Sequence, residues 1–312
     1  MAIIDQVPVL SMNEGATPAF ANSIGKSFER FGFAMVRDHG LDPALVEKGW
    51  ALAKSFFALP ETTKGTYRIE GGGGQRGYTA FGTEIAKDAT ESDLKEFWHV
   101  GRDLPTTGHP FSTAMPANIW PSEITGFKPL FQKLFAEFDR VGNQILSAIA
   151  MHLGLAADWF DDPIRDGNSI LRLLHYPPLS PDASGLRACP HEDINLITLL
   201  LGAEEAGLEL LDRNGNWLPI NPPEGALVVN VGDMLQRLTN DRLPSTTHRV
   251  CNPPPERCAH SRYSMPFFLH LRPDFMIETL TSCVDAAHPD RYPEPITADA
   301  YLMQRLQEIG LL

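Results

Sequence analysis

Between residues 18 and 31 the apolar side chains Phe20, Ile24, Phe28 and Phe31 fall on one helical face, so the spacing predicts an amphipathic helix that Gly32 ends. Phe33 to Val36 then reads as a short buried strand. Pro43 opens a second helix running to about Leu59, with Pro60 just beyond it. A longer helix is expected over roughly 123–153, where Phe127, Leu130, Leu134, Phe138, Val141, Ile145 and Ile149 hold one face and Gly154 suits the stop.

After about residue 168 the pattern changes to short runs rich in Leu, Ile, Val and Phe, separated by turn residues. Strands are expected at Ile170–Tyr176, Leu196–Leu201, Leu208–Asp212, Trp217–Ile220, Ala226–Asn230, Thr247–Val250 and Arg262–His270. Asn214-Gly215 between two of them is a strong hairpin signal. Many short strands at this spacing argue for a sandwich or barrel, and a last helix is expected at about 297–309. The chain thus reads as a helical N-terminal half packed on an all-β C-terminal half, with no Ser/Gly/Pro linker between them. The Gly71–Gly74 run lacks a following GK[ST] and a preceding apolar strand, which makes it a mobile surface loop and not a phosphate loop.

Composition narrows the function classes. At 312 residues, 43% hydrophobic and 21% charged, the chain is an ordinary globular protein of one large domain or two small ones. A net charge of −13 argues against nucleic acid as a partner. No apolar stretch approaches the about 20 residues that cross a bilayer, and the N-terminus lacks the basic and apolar regions of a signal peptide. Cys189, Cys251, Cys258 and Cys283 form no CxxC pair and read as reduced thiols of a cytoplasmic protein, Cys189 as a small buried residue near the candidate site.

The candidate chemistry begins at Pro190-His191-Glu192-Asp193. Residues 191 and 193 alternate along a strand, so an imidazole and a carboxylate point into one space. His248 follows in the strand-like Thr247-His248-Arg249-Val250. Two nitrogens and one carboxylate leave three positions of an octahedron open, which is what iron(II) needs to bind a co-substrate and dioxygen together. HxD by itself is a cheap signal: His288-Pro289-Asp290 repeats it in a Pro-rich tail with no later histidine, and is not taken as a ligand pair. Downstream, Arg262 and Ser264 share a strand face, and an arginine fork beside a hydroxyl suits a carboxylate.

These motifs in this order resemble the isopenicillin N synthase-like branch of the 2-oxoglutarate and iron(II)-dependent dioxygenases, which includes plant flavonoid and gibberellin oxidases. Further marks are Val7-Pro8-Val9, Gly32-Phe33, Asp38-His39-Gly40, Phe57-Ala58-Leu59-Pro60, Arg76-Gly77-Tyr78, Lys95-Glu96-Phe97, the run Arg172 to Pro178, and Gly232-Asp233. The resemblance implies an α+β fold with a mainly β core, a double-stranded β-helix (jelly roll) with N-terminal and central helices packed on one sheet. It implies an N-terminal non-haem dioxygenase region (1–120), bracing helices (121–165), a jelly-roll core for iron and 2-oxoglutarate (166–280) and a C-terminal helical extension (281–312), in one compact unit. His191, Asp193 and His248 would be the iron(II) ligands, and Arg262, Ser264 and Tyr176 would hold 2-oxoglutarate. The family's Asn-Tyr-Tyr-Pro-Pro pattern is altered here, with Leu174 for the Asn and His175 for the first Tyr.

The implied reaction couples oxidative decarboxylation of 2-oxoglutarate by dioxygen to hydroxylation or desaturation of a small organic molecule. The competing readings are an iron oxidase that dispenses with 2-oxoglutarate, a metal-dependent hydrolase or isomerase on a cupin-like barrel, and a non-catalytic jelly-roll binding module. Strand parity puts Arg172 on the face of Tyr176, and Arg76 falls where related enzymes line the substrate entrance. A guanidinium inside an apolar barrel needs an anionic partner, so the expected substrate is a small anion held by Arg172 and Arg76.

Overall fold

Thr17 and Gly32 bracket the first long helix. In the computed structural model, which describes residues 6–72, 74–85, 91–104, 108–180, 183–201 and 206–308, the Thr17 hydroxyl accepts from the Phe20 N–H at 3.2 Å, and Pro18 sits in the first turn, where a missing donor costs nothing. Gly32 adopts φ 66°, and a Cβ there would lie 2.5 Å from the Pro244 carbonyl oxygen, so only glycine lets the chain turn directly into the next strand.

The strands in chain order are β1 (Val9–Ser11), β2 (Phe33–Arg37), β3 (Gly77–Thr79), β4 (Glu96–Gly101), β5 (Ile170–Tyr176), β6 (Ala188–His191), β7 (Ile197–Leu201), β8 (Leu208–Leu211), β9 (Trp217–Pro219), β10 (Leu227–Val231), β11 (His248–Val250), β12 (Arg262–Leu269), β13 (Met276–Ile277) and β14 (Ile296–Thr297). The helices are α1 (Pro18–Phe31), α2 (Pro43–Phe57), α3 (Glu61–Gly65), α4 (Phe127–His152), α5 (Asp161–Ile164), α6 (Asp233–Leu238) and α7 (Ala298–Glu308). An eight-stranded sheet runs β1-β2-β10-β7-β12-β5-β4-β3, and a four-stranded sheet runs β6-β11-β8-β9. Apart from the parallel β1–β2 pair, every pairing in the two is antiparallel. This is the mainly β jelly roll expected, with helices on one side of the large sheet.

Period-two alternation divides the large sheet between core and cavity. Leu171 and Leu173, Ile197 and Leu199, Val229 and Val231, and Phe267 and Leu269 enter the core shared with the helices. Their neighbours Arg172, Leu174 and Tyr176, Thr198, Asn230, Arg262 and Ser264 face the other way and line a cavity toward the small sheet. On the core side α4 lies across the strands. Phe135 and Phe138 place their rings 5.0 and 5.5 Å from Phe267, and burying one such ring stabilises by roughly 1.5–3 kcal/mol.

The structure departs from the sequence reading in three places. The N-terminal half supplies more than the expected strand β2: β1 joins β2 at one edge of the large sheet, and β4 and β3 form the other. The β4 strand carries no alternation because it is buried on both faces, its polar Glu96 and His99 being satisfied inside the protein. The long helix starts at Phe127 because Gly126, with φ 82°, breaks the pattern before it. The glycine run is not simply a surface loop either. Gly73 lies outside the described residues, while the Gly74 carbonyl accepts from His99 Nδ1 at 2.5 Å. Among the described residues, no helix is long and apolar enough to cross a membrane.

Candidate active site

His191 ends β6 and His248 begins β11, and the two are paired directly across the small sheet. Asp193 follows two residues after His191. The three side chains bring one ligand atom each within 4.8 Å of one another. Asp193 Oδ1 lies 3.9 Å from both His191 Nε2 and His248 Nε2, and the imidazole centroids are 4.4 Å apart. The Nδ1 atoms are directed at backbone carbonyls, that of Cys189 at 2.8 Å and that of Thr246 at 3.1 Å. A carbonyl only accepts, so each Nδ1 carries the proton and each Nε2 presents its lone pair to the common space. Desolvation in the cavity and the neighbouring His248 push His191 down to about 4, which keeps it neutral and able to ligate at neutral pH. Burial alone would raise Asp193, but the two imidazoles and two hydrogen-bond donors outweigh it and hold the carboxylate below its ordinary range. Cys189 is not the small buried residue expected. It is half-buried, and its backbone carbonyl orients His191.

The carboxylate is oriented by residues the sequence reading passed over. Asp193 Oδ2 accepts from the Thr198 hydroxyl at 2.5 Å and from Asn230 Nδ2 at 2.7 Å, which leaves Oδ1 for the shared space. Asn195 Nδ2 donates to Thr198 Oγ1 at 3.0 Å. The Asp233 N–H holds the Asp193 carbonyl at 2.7 Å. A Cβ at Gly232 would come within 2.3 Å of the Asn195 carbonyl oxygen, a close approach that gives the Gly232-Asp233 mark a physical reason. Thr198 and Asn230 are polar residues inside otherwise apolar strands, and that was the available signal. Thr198→Val keeps the shape and removes one donor to Asp193. It is expected to weaken iron(II) binding by about 10–100-fold, read by anaerobic titration of the metal-free protein.

From the triad an inner cavity of about 60 Å³ runs between the sheets to Arg262, Ser264 and Tyr176. Arg262 pairs with Tyr176 across β12 and β5, its guanidinium 4.9 Å from the Tyr176 ring centroid, and Ser264 pairs with Leu174. All three are buried. Leu174, where the family pattern has Asn, presents an apolar wall to this cavity. His175 points to the other side, accepted by Glu96 at 2.7 Å and stacked on Tyr263, so its substitution serves packing behind the sheet.

An outer cavity of about 440 Å³ opens from the triad toward solvent. Its walls include Lys95, His99, Arg172, Phe268 and His270, and α7 closes one side with Leu302, Arg305 and Leu306. Arg172 lines both cavities, yet its guanidinium already faces Glu84, with both contacts at 3.3 Å. Arg76 is absent from the walls of either cavity. It is 1% exposed and lies on Gly101, with Nη1 donating to the Gln75 carbonyl, and burial pushes it down to about 10. Arg76 precedes β3 and packs against Gly101 of the neighbouring strand instead of facing the cavity. A Cβ at Gly101 would fall 1.8 Å from the Arg76 guanidinium carbon, so Gly101→Ala is expected to destabilise the fold by about 1–3 kcal/mol, seen as a lower urea midpoint at unchanged slope. The other HxD copy assembles no comparable cluster among the described residues: His288 pairs with Asp285 at 3.0 Å and Asp290 accepts from Thr279.

Comparison with known proteins agrees with this geometry. The 2OG-Fe(II) oxygenase superfamily profile matches residues 167–271, and the profile of the non-haem dioxygenase in morphine synthesis N-terminal region matches residues 7–123. A 2-oxoglutarate-Fe(II) type oxidoreductase of Emericella nidulans is 30% identical over 310 residues, covering 95% of this chain and 86% of that protein. The crystal structure of a 2OG-Fe(II) oxygenase family protein from Caulobacter crescentus superposes with TM-score 0.90 at 55% identity, covering 97% of this chain and 99% of the other. A full-length Neurospora crassa protein crystallised in complex with α-ketoglutarate and thymine superposes with TM-score 0.85 at 30% identity, covering 96% of each chain.

Proposed function

The chain belongs to the 2OG-Fe(II) oxygenase superfamily, and from that premise we propose that His191, Asp193 and His248 hold iron(II), that Arg262, Ser264 and Tyr176 seat 2-oxoglutarate, and that the outer cavity receives a small molecule for hydroxylation or desaturation. The observation that carries this reading is the triad: two Nε2 lone pairs and one carboxylate oxygen directed into one space, each fixed from behind by a backbone carbonyl or a side-chain donor. Those donors suit a divalent transition metal that keeps positions open for other ligands. When bound with 2-oxoglutarate and dioxygen, iron(II) supplies oxidative decarboxylation to succinate and carbon dioxide, coupled to oxidation of a C–H bond.

The protein's part is to bind, aim and exclude water. Arg262 offers a planar fork, and Ser264 a hydroxyl, to the far carboxylate of a diacid whose other end reaches the triad. Tyr176 adds its phenolic hydroxyl to the same carboxylate. Leu174, Leu200 and Val250 line the inner cavity and keep it dry, which strengthens the contact at Arg262. The outer cavity is within the size range of small-molecule sites, and the thymine bound by the Neurospora relative sets a natural scale for the substrate. The four free thiols fit a cytoplasmic setting. The reading is tested by anaerobic calorimetry of 2-oxoglutarate binding. Affinity should rise when the metal-free protein is loaded with one iron(II) per chain, because the triad and Arg262 then hold opposite ends of one ligand. Equal affinity with and without iron would overturn it.

A further inference from the structure

The outer cavity has a charged wall whose charges cancel. Lys95 Nζ lies 2.5 Å from Glu84 Oε2 and 2.7 Å from Asp93 Oδ2. Arg172 faces both oxygens of Glu84 at 3.3 Å, and its Nε–H donates to His99 Nε2 at 2.5 Å. Its guanidinium is sandwiched between Phe97 and Phe268, 4.1 and 5.1 Å from the ring centroids. Burial alone would discharge Glu84 and Lys95. The surrounding opposite charges reverse that, holding Glu84 well below the carboxylate range and Lys95 above the usual amine range. His99 accepts from Arg172 and donates to the Gly74 carbonyl, so it is the neutral tautomer, and burial and Arg172 hold it well below its ordinary value. Burial likewise pushes His270 down to about 4.

Among the described residues this wall therefore carries two cations, two carboxylates and two neutral imidazoles. Among the described residues, the rest of the lining adds no free cation for an anion either. Arg305 there is taken by Asp233 at 2.9 Å and Glu308 at 2.7 Å, with the Glu192 carboxylate nearby on the same lining. A charged group entering such a cavity would leave water and find every counter-charge engaged, a heavy penalty. Neutral groups meet no such barrier. The Arg172–Glu84 contact is long enough to share its donor and acceptor with a ligand. Gln75 Oε1 and Asn168 Oδ1, on the same lining, are buried without a hydrogen-bond partner among the described residues.

We infer that the substrate is uncharged where it enters this cavity, a small neutral molecule with amide-like donor and acceptor groups read by Arg172 and Glu84. This replaces the anion expected from sequence, and it rests on the outer cavity being the substrate site of the oxygenase proposed above. Glu84 is then a specificity-determining residue, because its carboxylate cancels one of the two cations.

The test uses iron-loaded full-length protein and a panel of cyclic and aromatic carboxylic acids, each paired with its primary amide. Succinate formed above the substrate-free background is the readout. In the wild type the amides should stimulate succinate formation at least about tenfold more than their matched acids, because only the acids bring an unpaired charge out of water. In Glu84→Gln, which leaves one cation uncompensated, the amide-to-acid ratio should fall by about tenfold or invert. Retained iron-dependent 2-oxoglutarate binding shows that the variant is folded. Wild-type protein that favours the acids, or that does not separate the members of each pair, overturns the inference, as does an unchanged ratio in the folded variant. Loss of iron-dependent 2-oxoglutarate binding in the wild type would instead remove the oxygenase reading beneath it.

Discussion

Asp193→Ala is expected to yield a folded protein that binds no stoichiometric iron. Asp193 Oδ1 is the one carboxylate oxygen in the shared space, 3.9 Å from each histidine Nε2. Without it two neutral imidazoles remain, and the loss should exceed the about 10–100-fold that removing a side chain hydrogen-bonded to a ligand costs. The fold should survive because the residue lines a cavity. Removing the carboxylate takes the acceptor from the Asn230 amide, at a cost of roughly 1–3 kcal/mol when such a group stays buried, and access to the cavity lowers that figure, while the Thr198 hydroxyl keeps its contact with Asn195. His191→Ala and His248→Ala should behave alike, while His288→Ala and Asp290→Ala should leave iron binding untouched. Metal analysis of protein purified anaerobically with excess ferrous iron decides the matter. Stoichiometric iron retained in any two of the three triad variants would show that the metal sits elsewhere.

Arg262→Leu should keep iron and lose 2-oxoglutarate. Arg262 lines the inner cavity and is 3% exposed. Removing one side of a buried charge-assisted contact costs on the order of 2–5 kcal/mol, which corresponds to an apparent Michaelis constant raised about thirtyfold to several thousandfold. Ser264→Ala and Tyr176→Phe should each cost about 0.5–1.5 kcal/mol. Succinate formation against 2-oxoglutarate concentration measures all three. An unchanged constant in Arg262→Leu would place the diacid elsewhere.

What could be read from the chain follows from how local each signal is. Helix α4 was legible because seven apolar residues repeat on one face, and the parity of β5 and β12 was legible because alternation needs only neighbouring residues. The His191, Asp193 and His248 set was legible as a spacing pattern. Strand β4 was not, since a strand buried on both faces shows neither alternation nor an unbroken apolar run when Glu96 and His99 interrupt it. The Glu84, Asp93, Lys95 and Arg172 cluster was invisible for a different reason. Its members come from a loop, a strand approach and a distant strand, and only the β4–β5 pairing, with His99 opposite Arg172, brings them together. The anion expectation and the neutral substrate we infer part at the same gap. Sequence shows a guanidinium facing a cavity, but not the carboxylate already beside it.

The most direct measurement of the central claim is the stoichiometry of turnover by metal-free protein reconstituted with iron(II) and supplied with 2-oxoglutarate, dioxygen and a turned-over amide of the panel. One succinate is expected for each oxidised product, with product formation abolished by omitting any one of iron, 2-oxoglutarate or dioxygen. Oxidised product formed in the absence of 2-oxoglutarate, with no succinate released, would contradict that claim and identify the chain as an oxidase that uses the same metal site.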